Sequence, residues 1–151
     1  MMRKLIPLLI VVMLVALPCA ALAVEIDIKP GSCPNPLNTN ARGVLPVAIL
    51  GAGDFDVSSI DPASVRLEGV APLRWSYEDV ATPYAGTGEG CFACHESGPD
   101  GYMDLTLKFN AQEIVTALGD VEDGECRVVM LTAAGLSGED VVRIIKKGPQ
   151  E

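Results

Sequence analysis

Apolar and polar residues alternate with period two in several short segments of this chain, which is the pattern of strands with one buried face. The clearest cases are residues 24–29 and 102–109. Glycine and proline separate these from further short apolar candidates, at 43–50, 65–68, 73–77, 126–132 and 141–146. About seven short strands with frequent turn signals predict an all-β fold, an antiparallel immunoglobulin-like β-sandwich.

One segment departs from this pattern and predicts a short helix. Its apolar residues recur at helical spacing within 114–118. Asn110 and Glu113 form a capping pair before it, and Gly119 is a stop signal after it. The sandwich is therefore expected to carry one short helix between two of its strands.

The first 23 residues have the composition of a secretory signal peptide. Arg3 and Lys4 precede an apolar stretch, and Ala21, Leu22 and Ala23 form the small-x-small pattern that signal peptidase cuts. The chain is therefore predicted to be secreted or periplasmic, with cleavage near Ala23. Residues 24–151 would form a single domain without a membrane span.

Charge narrows the class of partner. Removal of Arg3 and Lys4 would leave nine basic residues against 20 acidic ones. A surface of this sign repels nucleic acid and anionic lipid and attracts cations. We therefore expect no nucleic-acid partner.

Cysteine usage fits an oxidising compartment. Cys19 leaves with the predicted signal peptide, and Cys33, Cys91, Cys94 and Cys126 remain. An even number of cysteines in such a compartment suggests that all four are engaged. If Cys91 and Cys94 act together, Cys33 and Cys126 are left to form a disulfide, and that pairing is predicted here.

The run Cys91-Phe92-Ala93-Cys94-His95 has the spacing of c-type haem attachment, with two thiols for the vinyl groups and a histidine for the iron. His95 is the only histidine, so ligation by two histidines of one chain is impossible. Two other interpretations stay open. Cys91 and Cys94 could form a local structural disulfide, or two thiolates and the imidazole could contribute to a zinc-like site.

No catalytic residue is predicted. Ser58 and Ser59 lie in no Gly-x-Ser-x-Gly elbow, and no glycine-rich phosphate loop precedes a helix. Trp75 and Tyr77 alternate on one predicted strand, which is typical of packing, although an exposed aromatic pair would suit a sugar.

Four stretches of the chain resemble a family of small bacterial extracytoplasmic β-sandwich modules. They are IDIKPG at 26–31, GVLPVAILG at 43–51, DLTLKF at 104–109 and GEDVV at 138–142. The resemblance covers nearly the whole predicted mature chain. It implies the sandwich fold and no enzymatic activity, and it implies nothing specific about a ligand.

The same resemblance implies a calcium loop. Members of the family carry an acidic loop, similar to the front of an EF-hand loop, before the strand that begins Asp-Leu. By that resemblance Asp79, Asp100 and Asp104 would supply carboxylates and Tyr102 its carbonyl, since calcium takes six to eight oxygen ligands. In this chain, residues 81–99 are inserted into the loop and contain the cysteine motif. The alternative is that the three aspartates are turn residues, favoured for backbone geometry.

These observations predict a secreted, non-enzymatic binding or adhesion-type module whose acidic loop binds calcium. The alternative is a monohaem c-type cytochrome that uses Cys91, Cys94 and His95. The partner would be an extracytoplasmic protein, a polysaccharide or, for the cytochrome, a redox protein.

Overall fold

The computed structural model of the chain describes residues 16–147. Most of the predicted signal peptide, residues 1–15, therefore lies outside the described residues. The described chain is mostly β-structure in two sheets with a single short helix, which confirms the predicted all-β sandwich. No helix in this part of the chain is long and apolar enough to span a membrane.

Nine strands and one α-helix follow one another between residues 16 and 147. The strands are β1 Leu22–Ala23, β2 Ile26–Ile28, β3 Asn35–Asn38, β4 Val44–Ile49, β5 Arg66–Leu67, β6 Arg74–Glu78, β7 Asp104–Asn110, β8 Cys126–Ala133 and β9 Leu136–Ile145. Helix α1, Ala111–Leu118, follows β7 directly. Single turns of 3-10 helix lie at Val57–Ser59, Pro62–Ser64 and Gly90–Phe92.

The first sheet is built around β9. One edge of β9 pairs with β8 in antiparallel fashion, and β5 adds to the far side of β8. The other edge of β9 takes β1 near its start and β3 near its end, and both of these pairings are parallel. The sandwich is therefore not wholly antiparallel. Strand β1 belongs to the predicted signal peptide, so cleavage near Ala23 would leave β3 as the parallel neighbour of β9.

Between β1 and β3 the chain visits the other sheet. Val24 still donates its N–H to the carbonyl of Ser137, but two residues later β2 pairs with β4. Where the chain has left β9, the side chain of Asp140 acts as a substitute acceptor. Its carboxylate accepts the N–H of Ile28 at 2.7 Å and the Asn35 side-chain amide at 3.1 Å. Asp140, on β9 of the first sheet, therefore links that sheet to β2 of the second sheet, where the chain passes from one sheet to the other.

The second sheet is antiparallel throughout, in the order β2-β4-β7-β6. Its inner face and that of the first sheet enclose one apolar core, to which α1 adds Ile114 and Leu118. The Asn110 side chain accepts the N–H groups of Gln112 and Glu113, so the predicted N-cap is confirmed. The largest fully buried side chains include Phe109, Ile28, Leu37, Leu45, Ile49, Leu67, Leu105 and Leu107.

The edge strand β6 is less well covered than the rest of the second sheet. Trp75 lies opposite Leu107 and Tyr77 opposite Leu105, so both aromatic side chains lie on the core-facing side of the sheet. Trp75 is nevertheless 45% exposed and Tyr77 43% exposed, whereas both leucines are fully buried. The core ends at β7, and the two aromatic rings extend beyond it.

Candidate functional site at the inserted loop

The inserted loop, residues 81–99, leaves the second sheet after β6 and returns to it before β7. Its two ends lie side by side, because the Thr82 hydroxyl donates to the carbonyl of Gly98 at 2.7 Å. Its first residue, Ala81, is fully buried and packs with Ala48 and Leu50 of the sandwich. The loop is thus closed at its base, as in a compact surface loop.

Two disulfides hold the inserted loop to the sandwich. Cys94 is bonded to Cys33, which lies between β2 and β3, and Cys91 is bonded to Cys126 at the start of β8. The predicted Cys33–Cys126 disulfide is therefore wrong, and so is local pairing of Cys91 with Cys94. The loop folds back over the sandwich, and its two cysteines bond to cysteines in different parts of the sandwich. The spacing of the cysteines along the sequence does not indicate how the loop folds back, so it could not predict these pairs.

The predicted haem and zinc ligands do not fit those groups as they are arranged here. Thioether attachment needs the sulfur atoms of Cys91 and Cys94, and both are engaged in disulfides. The Nδ1 atom of His95 accepts the N–H of Ser97 at 2.9 Å, and its ring lies 5.6 Å from that of Tyr84. The cavity beside His95 has a volume of only about 20 Å³, far below the size of a haem.

Asp104 anchors the base of the inserted loop. Its carboxylate is fully buried and accepts three backbone N–H groups, from Gly51 at 2.9 Å, Val80 at 2.8 Å and Ala81 at 3.2 Å. A buried carboxylate is stable only when its oxygens are satisfied in this way. Gly51 permits the approach, because a Cβ atom there would lie 2.1 Å from the carbonyl oxygen of Met103.

The other predicted calcium ligands also bind backbone N–H groups. Asp79 accepts those of Asp100 and Gly101 at 3.0 and 2.8 Å, and Asp100 accepts that of Tyr102 at 3.0 Å. Within residues 16–147, no group of three or more histidine, cysteine, aspartate or glutamate side chains is arranged to hold a metal ion. In this arrangement Asp100 caps a local turn, whereas Asp79 binds backbone N–H groups at the other end of the inserted loop. Calcium binding stays a prediction.

A small cavity beneath the inserted loop brings together residues that the sequence did not connect. Asp27 and Asp140 line it from the sandwich, and Tyr84, Cys94 and His95 line it from the loop. The alternation in 24–29 assigned Asp27 to a solvent-facing side. In the structure the inserted loop covers that side of the strand. No sequence pattern predicts where the loop lies.

Burial changes the acidity of Asp27. It raises the pKa of the Asp27 carboxyl from 3.8 to about 7, and the nearby charges of Asp140 and Asp104 act in the same direction. Burial also raises the pKa of Asp140, although hydrogen bonds from Ile28, Val141 and Asn35 oppose that shift. Two carboxyl groups under the loop therefore favour the protonated form more than aspartates in water do.

We expect the protein to lose stability as pH rises from about 5 to 8. Between the unfolded pKa of 3.8 and the folded pKa of about 7, the native state keeps a proton on Asp27 that the unfolded chain has lost. Stability from this group is full below the lower value and is lost as pH rises through the upper one. After allowance for partial exposure, the loss is about 1–2 kcal/mol in urea unfolding.

Asp27→Asn should flatten this dependence, because its amide does not titrate. The exposed Asp120 provides a control, since Asp120→Asn should keep the wild-type slope. A variant Asp27→Asn that keeps the full slope would show that another group is responsible.

Comparison of the chain with protein-family models, curated proteins and solved structures gives no match. The resemblance to extracytoplasmic β-sandwich modules therefore stays a prediction. The two disulfides are evidence for an oxidising compartment outside the cytoplasm. The function has to be argued from the inserted loop itself.

Proposed function

We propose that the chain is an exported, non-enzymatic binding module whose recognition element is the inserted loop. The observation that carries this proposal is the position of Phe92. Its side chain is 62% exposed, yet it lies between Cys91 and Cys94, which are both fixed to the sandwich by disulfides. The backbone holds a large apolar ring in water, where it adds little to the stability of the fold.

Such a loop suits binding because its conformation is already fixed before a partner binds. A flexible loop of this length would lose conformational freedom on contact with a partner, and that loss weakens affinity. Here the base of the loop is closed by Thr82 and Gly98, and the two disulfides fix its far side. A rigid aromatic side chain on such a support is typical of the residues that dominate interface energies.

Charge around Phe92 indicates the chemistry of the partner. Glu89 and Glu96 are exposed on either side of it, and the loop contains no lysine or arginine. We expect an extracytoplasmic protein with an apolar socket for the ring and a basic rim for the carboxylates. Calcium binding by Asp79, Asp100 and Asp104 is a separate prediction, on which this proposal does not depend.

Phe92→Ser should reduce binding of the labelled protein to cell-envelope fragments of the encoding species by at least tenfold. Truncation of an aromatic anchor costs about 2 kcal/mol or more, which corresponds to such a factor. The matched control is Met103→Ser, because Met103 is 54% exposed but lies outside the loop. Fluorescence titration of the fragments with wild type and both variants gives the three affinities.

Equal binding by Phe92→Ser and wild type would refute the proposal. Treatment of the fragments with protease before the titration identifies the class of partner. Binding to a protein is expected to disappear, whereas binding that survives would favour the polysaccharide alternative.

A further inference from the structure

Strand β6 leaves one edge of the second sheet unpaired. Its inner neighbour is β7, and no other strand between residues 16 and 147 pairs with it. All five of its residues are exposed. Every second N–H and carbonyl of this strand is therefore available to another strand, a feature that monomeric proteins generally block.

The side chains of β6 are arranged in a self-complementary order. The strand reads Arg74-Trp75-Ser76-Tyr77-Glu78, with a base at one end and an acid at the other. In an antiparallel pair of two copies centred on Ser76, each Arg74 faces Glu78 of the second copy. On the opposite face, each Trp75 faces Tyr77 of the second copy.

We propose that β6 is a dimerisation edge, at which two copies of this chain pair antiparallel about Ser76 and join their four-stranded sheets into one. The arrangement has the twofold symmetry of most homodimers. It forms two cross-strand ion pairs and two aromatic pairs, each of which contributes to strand pairing. It also covers the aromatic rings that the core leaves exposed.

Other registers are less favourable. A shift by two residues in either direction removes both Arg74–Glu78 pairs, and a parallel pair would set like charges against each other. Ser76 does not interfere, because its hydroxyl bonds to Thr106 of β7 at 2.8 Å within its own sheet. Each copy carries net negative charge, but salt at physiological strength screens that repulsion beyond about 8 Å.

Sedimentation of charge-swap variants tests the proposal. The interface is small, so we expect the wild type to show a dimer with a dissociation constant in the micromolar range or weaker. Arg74→Glu and Glu78→Arg should each be monomeric, since like charges would then meet at both ends. An equimolar mixture of the two variants should form a heterodimer, because each glutamate of one variant faces an arginine of the other.

Two further measurements make the result specific. Arg42→Glu changes the same charge at an exposed residue outside β6 and should leave the dimer intact. Trp75 is the only tryptophan, so its quenching by acrylamide should fall as protein concentration rises in the wild type but not in Arg74→Glu or Glu78→Arg alone. Phe92→Ser should dimerise normally, which separates this inference from the proposed function.

The proposal is overturned if the wild type sediments as a monomer at all concentrations. It is equally overturned if Arg74→Glu dimerises as the wild type does, or if the mixture of variants stays monomeric. Circular dichroism verifies that each variant is folded, as expected for substitutions at exposed positions.

Discussion

Replacing Cys91 and Cys126 with alanine should lower the free energy of unfolding by about 4 kcal/mol. The disulfide joins residues 35 positions apart and so restricts the conformations of the unfolded chain. Its loss restores that conformational entropy and stabilises the unfolded state. The pair Cys33 and Cys94 spans 61 positions and should contribute a similar amount. Urea unfolding of the two double variants gives both values. Loss of both disulfides would remove much of the stability of a small domain.

The wild-type protein tests the connectivity of the disulfides. A peptide map without reductant should recover Cys33 with Cys94 and Cys91 with Cys126. The intact mass should be short by the hydrogens of two disulfides, even when a c-type haem maturation system is co-expressed. A mass increase of one haem with a Soret band would instead support the cytochrome, and a Cys33–Cys126 peptide would contradict the structure.

Asp104→Ala should lower the free energy of unfolding by about 3–5 kcal/mol. The substitution leaves the N–H groups of Gly51, Val80 and Ala81 without their acceptor, and each unsatisfied group that is shielded from water is costly. Asp104→Asn keeps one acceptor oxygen and should lose less. Urea unfolding measures both variants, and Asp100→Ala is the control, since Asp100 accepts one backbone N–H near the surface.

Repeating these measurements with calcium and with a chelator decides between the two roles of the aspartates. A purely structural Asp104 predicts the same loss in both solutions. If calcium raises the melting temperature of the wild type and Asp100→Ala abolishes that rise, the predicted calcium ligands are right. If the wild type melts identically in both solutions, the calcium prediction is wrong.

The regular strands were predictable because their side chains report burial directly. Residues 102–109 alternate, and most of them lie in β7, Asp104–Asn110; the caps around α1 depend on local chemistry alone. Strand β3, Asn35–Asn38, has the composition of a turn and was missed, since only Leu37 signals burial. The start of β9 was missed for a similar reason. Glycine weakens a strand pattern, but Gly138 is needed there because a Cβ atom at this position would lie 2.7 Å from the carbonyl oxygen of Val24.

The candidate site was predicted less well because it depends on long-range contacts. The sequence placed Cys91, Cys94 and His95 in one inserted loop, and they do lie together in it. Which cysteine each one meets depends on how the loop folds back, and the burial of Asp27 depends on the same path. Short-range spacing carries no information about either.

The disulfide connectivity has a consequence for biogenesis. Counted along the chain, the first of the four bonded cysteines joins the third, and the second joins the fourth. An oxidase that links cysteines in the order in which they cross the membrane would join Cys33 to Cys91. Thiol–disulfide exchange would then have to correct that bond. Maturation of this protein therefore requires either exchange of that first bond or oxidation that waits until Cys94 has reached Cys33.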